Sequence, residues 1–528
     1  MLKFPSKTLK ILCLLCCLAP LFFLNACKEE KLTPKYVFFF IGDGASFAQR
    51  RITEIANGSA LLASSFPVQG IMASKALDTL IPDSAATASA FATGQNVPNG
   101  MVSTLPEIEE KLPLITDLAA KNGFKTAVVT TASVDDATPA AFYARAKKRF
   151  SYYDIAVQLP ESSLSLLAGA KFKRPRSFKK DDLDVVLRRG GYKIFNPAKD
   201  NISYPSGKVA VTYDAVPFAM DARKNSPDLA EMVEKTVAKL GTKQSFFIVA
   251  ESAKIDVAAH MHDTAALIKE MIAFDKAVTV AYDFYKAHPN DTLIVVAGDH
   301  ETGGLTIGAN NASNIDLSVF DKQKKSASSF LYDVLRFKSR HTSYAVLEDF
   351  MPTLTRVFGL KMFSPMQKEE LMLKETEGDE QAAQDLKSAL TPSEISVLRE
   401  GLRHSLTEKS RRPKTPEFKE KYSDYDPVTI AVMNVLNKRA GIGYTTFEHT
   451  AATVPVSAVG YKADLFAGSY ESTDIFSKLL NVMGIVLPQP PATPVAPTAD
   501  GAPAQEQPLP SEVTENAPAS PETQNVTK

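Results

Sequence analysis

Cysteine is nearly absent from this sequence. All four cysteines (Cys13, Cys16, Cys17 and Cys27) lie within the first 27 of 528 residues. Beyond them the chain can form no internal disulfide and offer no thiolate, so a metal held in its body must be held by imidazole and carboxylate. An excess of charge of one sign is missing too. Lys+Arg and Asp+Glu both number 60, which removes the basic field that a nucleic-acid partner would need. Histidine is scarce, at seven. No internal repeat of domain size occurs. What remains is an ordinary globular composition, 45% hydrophobic and 23% charged. The length suits one large α/β domain with insertions, or two or three ordinary domains.

The N-terminus reads as a sorting signal. Lys3, Lys7 and Lys10 flank an apolar run, ILCLLCCLAPLFFL (11–24), too short to span a bilayer comfortably. It ends in LNAC (24–27), which resembles a bacterial lipobox with Cys27 as the lipidated first residue of the mature chain. An ordinary secretory signal or an uncleaved anchor is the alternative. Either way the protein leaves the cytoplasm. The lipid route anchors it in the cell envelope, on the outer membrane facing the periplasm or on the cell surface.

Four continuous apolar runs read as strands buried on both faces: YVFFFIG (36–42), TAVVTT (126–131), SFFIVA (245–250) and TLIVVAG (292–298). Helix-patterned stretches such as 115–123 and 264–288 separate them. That alternation predicts a three-layer αβα sandwich around a mostly parallel sheet, with ligands bound at the carboxyl ends of the strands. The expected organisation is a signal peptide over 1–26, a linker over 27–35 and a sheet domain over 36–309 and 441–487. A charged helical insertion, cap-like, fills 310–440, and a Pro-rich tail without periodicity, expected to be disordered, fills 488–528. Residues 150–215, including KFKRPRSFKK (171–180), read as a basic, irregular elaboration with a solvated face.

Chemistry collects where the apolar runs end. The first is followed by Asp43, the third by Glu251, the fourth by Asp299-His300. One acid after a strand is an ordinary loop residue; three such ends in one sheet are harder to dismiss. Asp256 and His260 then stand four apart, on one face if that segment is helical, where they can share a cation. Taken alone, such a pair is more often a surface coincidence. His449 sits in YTTFEHTAATVPV (444–456) before a strand-like run and by itself reads as a loop histidine. His262, His288, His341 and His404 sit in polar contexts with nothing to mark them.

Ser84 lies in IPDSAATASAFATG (81–94), straight after an acid and before a run of small residues. A serine hydroxyl needs a base or a cation to become a nucleophile at neutral pH. The G-x-S-x-G elbow of the serine hydrolases does not surround Ser84, so a metal is the expected activator. The alternative is a Ser N-cap on an Ala-rich core helix.

These residues resemble those of the metal-dependent alkaline phosphatases. PDSAATASAFATG (82–94) is similar to that family's nucleophile motif, and DATPAAFYARAKKR (136–149) to its magnesium-plus-arginine segment. ESAKIDVAAH (251–260), VVAGDHETGG (295–304) and YTTFEHTAATVPVSAVG (444–460) are similar to its remaining metal segments, in the same order. The resemblance runs from about residue 36 to 486, with gaps over the two insertions. It implies that Ser84 is the nucleophile, transiently phosphorylated, and that Arg149 grips two phosphoryl oxygens. It implies one zinc on Asp256, His260 and His449 and a second on Asp43, Asp299 and His300. Magnesium falls to Asp43, Thr138 and Glu251, with Asp136 supporting it through water. The implied substrates are small phosphate monoesters, and the family is often dimeric. Two departures stand out. Val257 replaces a residue that in relatives is often Lys, His or Trp near the phosphate or the third metal. LLAGAKFK (166–173) only loosely resembles a Gly-rich stretch of the family. A phosphodiesterase on the same scaffold and a non-catalytic binding lipoprotein are the competing readings. Arg149 weighs against the first, since a diester has substituted an oxygen it would bind, and the complete ligand set weighs against the second.

Overall fold

The run YVFFFIG becomes the central strand β1 (Tyr36–Gly42), buried at every position. In the computed structural model, which describes residues 34–107, 111–197, 203–309, 311–341 and 344–487, the further strands follow in chain order. They are β2 (Val68–Ala73), β3 (Lys125–Ser133), β4 (Leu164–Ala170), β5 (Lys193–Phe195), β6 (Val209–Tyr213), β7 (Phe246–Ser252) and β8 (Thr292–Gly298). Then come β9 (Glu301–Thr302), β10 (Thr306–Ile307), β11 (Ile442–Gly443), β12 (His449–Thr450), β13 (Val454–Gly460) and β14 (Gly468–Glu471). Ten of them form one sheet in the order β14-β2-β13-β8-β1-β7-β3-β4-β6-β5. Every neighbour is parallel except β13, which runs against both β8 and β2. The sorting signal with Cys27, and the Pro-rich tail from 488, lie outside the described residues. Among the described residues no helix is long and apolar enough to cross a membrane.

Alternation along β1 builds the two faces. Phe38 and Phe40 point to the side covered by the long helix Thr264–Ala287, where Phe284 meets Phe38 at 5.6 Å and Phe274 meets Phe40 at 6.1 Å between ring centroids. Phe39 points the other way, edge-on to Phe91 of the helix Ser84–Thr93 at 5.2 Å. With helices on both faces the central strands have no wet side, which is why their sequences are apolar runs and not alternating patterns. The expected three-layer sandwich is the observed one.

One expectation about the periphery needs correcting. The basic stretch 150–215 is no irregular elaboration: it supplies β4, β5 and β6, which extend the sheet beyond β3. Most of its lysines and arginines lie in the connections and masked these strands.

Register places the site. Ile41 is level with Glu251, Gly42 with Gly298, and Thr130 with Glu251. The carboxyl ends of β1, β3, β7 and β8 therefore finish together, and the residues that follow them emerge at one edge. A Cβ on Gly298 would lie 2.1 Å from the Ala45 carbonyl oxygen, so glycine is what lets the turns after β1 and β8 meet. Because β13 is antiparallel, it begins at this same edge and brings His449 there.

Phe91 joins the helix that carries Ser84 to the sheet. Phe91→Ala is expected to lower stability by about 3–5 kcal/mol, read as a lower urea midpoint at unchanged slope. A loss under about 1 kcal/mol would mean that this ring does not anchor the helix.

Candidate active site

The helix Ser84–Thr93 is buried along its whole length, packed against the helices Ala137–Ala141 and Ser472–Val482. Alanine lets those neighbours approach, and the Ser89 and Thr93 hydroxyls donate back to the carbonyls of Ala85 and Ser89. The N-cap is Asp83, whose Oδ1 accepts from the Ala86 N–H at 2.9 Å. Ser84 is thus relieved of capping and is the first helical residue. Its Oγ lies 3.3 Å from His300 Nε2.

The three histidines singled out in the sequence converge. His260 Nε2 lies 3.2 Å from His449 Nε2, and the rings of His449 and His300 stack at 3.6 Å. Asp256 and His260, one turn apart on the helix Lys254–His260, approach to 3.3 Å, and Asp256 Oδ1 is also 3.5 Å from His449 Nε2. His300 Nε2 is 3.3 Å from Asp299 Oδ2 and 3.5 Å from Asp43 Oδ1. Two groups therefore have ligand atoms within 4.8 Å of one another: Asp43, Asp299 and His300, and Asp256, His300 and His449. His260 joins the second through its two short contacts.

The outer nitrogens fix how the rings face. His260 Nδ1 sits 2.5 Å from the Phe447 carbonyl and His449 Nδ1 2.8 Å from the Pro82 carbonyl. A carbonyl only accepts, so both Nδ1 atoms donate and both neutral rings turn a bare Nε2 inward. Thr302 Oγ1 donates to Asp256 Oδ1 at 2.6 Å, leaving its lone pair for His300 Nδ1 at 3.3 Å. Lone pairs thus converge from three imidazoles. Asp43 Oδ1 and Asp299 Oδ2 are buried beside them without a hydrogen-bond donor. Such a set repels itself unless cations or protons sit within it, and its N and O donors fit a zinc-type metal.

A third cluster adjoins it. Glu251 Oε2 accepts from Thr130 Oγ1 at 2.5 Å, and Glu251 also bonds the Thr138 hydroxyl. Asp136 caps the short helix that carries Thr138. All-oxygen donors of this kind suit magnesium. Arg149 donates from Nη1 to Asp83 Oδ2 at 2.9 Å, lies 3.8 Å from Asp136 Oδ1 through Nη2, and keeps a buried Nε with no partner. Asp43, Ser84, Thr138, Arg149, Glu251 and Asp256 all line one cavity of about 240 Å³. Every site residue expected from the sequence is at or beside this cavity.

Protonation follows from burial and crowding. Burial, then neighbouring Asp299 and Asp256, pushes Asp43 well above the usual carboxylate range. Burial lifts Glu251 to about 8 and Asp299 to about 6. Burial also works against the charged form of Asp256, but His260 and His449 outweigh it and hold Asp256 well below its ordinary value. Reciprocally, Asp256 overcomes burial and raises His260 to about 9. His300, buried and beside His449, is pushed well below the usual imidazole range. Protons do here, imperfectly, what dications would do.

Some supporting residues escaped the sequence. His262 is sandwiched between Tyr444 and Phe447, with centroids at 4.4 and 4.1 Å, and steadies the loop that carries His449. His404, also unmarked in the sequence, is buried against Phe418 and Tyr422 far along the helical segment. Glu301 ties Gln49 to Thr450, holding β12 against β9. The run DHET (299–302) was the available signal for Glu301 and Thr302; nothing local marked His262.

Comparison with known proteins agrees with this geometry. The sequence profile of the alkaline phosphatase family matches residues 34–208 and 213–485. Alkaline phosphatase 3 of Bacillus subtilis is 26% identical over 415 residues, covering 76% of this chain and 77% of that protein. The crystal structure of Thermus thermophilus alkaline phosphatase superposes with a TM-score of 0.66 at 20% identity, over 87% of this chain and 93% of that one. The cold-active alkaline phosphatase of a psychrophilic Shewanella sp. gives 0.65 at 24% identity, over 85% and 99%. At those identities the structures speak for the fold alone.

The raised groups give a pH signature. His260 and Glu251 hold protons in the folded, metal-free protein that the unfolded chain has released, so their stabilisation is lost as pH rises towards about 9 and 8. His300 acts oppositely, but only around and below the ordinary imidazole range. Metal-free protein is expected to lose thermal stability between about pH 7 and 9, while zinc-loaded protein does not, and zinc binding should release protons in calorimetry. A metal-free melting temperature that rises over this range would contradict the assignment.

Proposed function

The chain belongs to the alkaline phosphatase family, and we propose that it cleaves small phosphate monoesters in the cell envelope through a phosphoserine on Ser84. Membership makes it a phosphomonoester hydrolase with a metal-binding active site; the finer assignment is ours. In it Asp256, His260 and His449 hold one zinc, and Asp43, Asp299 and His300 hold the other. Asp43, Thr138 and Glu251 hold magnesium, supported by Asp136. Bound there, the cations supply the charge that lowers the pKa of the serine and of water and offsets charge on the phosphoryl oxygens.

The carrying observation is the inward turn of three Nε2 atoms, one of them 3.3 Å from Ser84 Oγ. Arg149, steered by Asp83, offers its guanidinium to two non-bridging oxygens of the ester. Ser84 Oγ loses its proton to solvent and bonds to phosphorus as the ester P–O bond breaks; the leaving oxygen takes a proton from water. Water then gives up a proton and bonds to phosphorus as the Oγ–P bond breaks; Ser84 Oγ regains a proton and inorganic phosphate departs. Phosphoryl transfer of this kind asks chiefly for positioning and charge. The LNAC sequence supports a lipid anchor on Cys27, and the helical segment 310–440 is placed by this reading at the rim, where it influences substrate choice.

Ser84→Ala should lower turnover of an aryl phosphate by on the order of a thousandfold or more, and chelator should abolish it reversibly. Arg149→Ala should raise KM roughly ten- to a hundredfold. Zinc-loaded protein that turns over no monoester at alkaline pH, or prefers a diester, would defeat the proposal. Fatty-acid labelling in cells should be lost in Cys27→Ser; labelling that persists would move the anchor elsewhere.

A further inference from the structure

The stretch LLAGAKFK (166–173) ends on a residue that the reading above leaves unused. Strand β4 runs beside β3, and a Cβ on Gly169 would lie 2.6 Å from Thr130 Cγ2 and 3.0 Å from the Thr130 and Ala132 carbonyl oxygens. Only glycine allows this approach, and it brings the exit of β4 alongside the turn that follows β3. There the Val134 N–H donates to the Ala170 carbonyl at 3.0 Å. The Lys173 N–H donates to both oxygens of Asp135, at 2.9 and 3.1 Å. The side chain then reaches back: Lys173 Nζ donates to Asp136 Oδ2 at 2.6 Å and to the Tyr152 hydroxyl at 3.3 Å, and stands 4.6 Å over the Tyr152 ring. Asp135 fixes the backbone of Lys173, and Lys173 fixes the side chain of Asp136.

Asp136 has a second cation to satisfy. Its Oδ1 accepts from the Ala137 N–H at 2.9 Å and lies 3.8 Å from Arg149 Nη2, while Asp83 Oδ2 takes Arg149 Nη1 at 2.9 Å. The guanidinium therefore stands between two carboxylates, hydrogen-bonded to one and held off from the other. The Val257 side chain offers no charge, and Lys254, also on the cavity, spends its Nζ on the Thr131 carbonyl at 2.6 Å. We propose that Lys173 is a positioning residue: by holding Asp136 Oδ2 it stops that carboxylate from closing on Arg149, and so keeps the guanidinium aimed at the phosphoryl group. It also offsets negative charge beside a site that must accept a dianion. The inference rests on the monoesterase reading for its substrate, and on the Lys173–Asp136–Arg149 chain for its content.

The side chain of Lys173 is 40% exposed, so screening limits the effect. In full-length, metal-loaded protein, Lys173→Met should raise KM for an aryl phosphate and Kd for inorganic phosphate, measured by calorimetry, by roughly five- to thirtyfold. The loss should appear in KM more than in kcat, with metal content and melting temperature near wild type. Lys173→Arg should restore most of it. In an Asp136→Asn background, Lys173→Met should add less than about twofold, because the carboxylate it restrains is gone. Unchanged KM and Kd in Lys173→Met overturn the proposal, as does an undiminished effect in the Asp136→Asn background or a loss of bound metal. A wild-type protein that binds phosphate but cleaves no monoester defeats the monoesterase reading instead, and the Kd comparison still tests Lys173.

Discussion

Too many lone pairs meet in too small a volume. Three imidazole Nε2 atoms and the carboxylates of Asp43, Asp256 and Asp299 share a few ångströms, the carboxylates and His300 buried and His260 and His449 partly so. Desolvation makes each negative oxygen costly and each pair of facing acceptors repulsive. Protons relieve part of the conflict, which is why Asp256 and His260 shift in opposite directions. Cations held by these groups would relieve it more fully, and would in doing so bring positive charge near Ser84. Stability of the site and reactivity of the serine are two aspects of the same electrostatic requirement.

Meeting that requirement takes a rigid frame, since the ligands come from positions as far apart as Asp43 and His449. The frame is the register of the sheet. Strands that end level deliver Asp43, Glu251 and Asp299 to one edge, each following a buried run that cannot slip by a residue without turning its side chains to the wrong face. Backbone carbonyls at Pro82 and Phe447 then set the rotation of the rings. The Pro82 carbonyl lies two residues before Ser84, so the Ser84 hydroxyl and the His449 imidazole are aligned by one stretch of chain.

Much of the candidate site was legible in the sequence, because Asp43, Glu251, Asp299 and His300 stand at or just past the ends of unmistakable buried strands and Asp256 and His260 form a short spaced motif, whereas His449 and Thr138 were found only through the family resemblance. The central strands were legible as those buried runs. The edge was not: β5 and β6 are short, and with β4 they are embedded in lysine- and arginine-rich connections, so local pattern pointed to an irregular loop. Partners separated by long stretches of chain were hidden too. Asp83 looked like an acid next to a serine, and only the fold shows it shared between the Ala86 amide and Arg149. Lys173 looked like one more charge in a basic run, and His262 like a polar-loop histidine. Their roles depend on what faces them, and composition does not carry that information.

The position of β13 has a consequence for assembly. It lies between β8 and β2, and it is the one strand running against the rest. A segment near the start of the chain can thus reach the sheet only across one made near its end. The ribosome must pass residue 460 before β2 has its neighbour and His449 its place. Loading with cations is therefore a closing event in maturation, and a chain truncated ahead of that strand would carry most of the ligands with no complete nest to put them in.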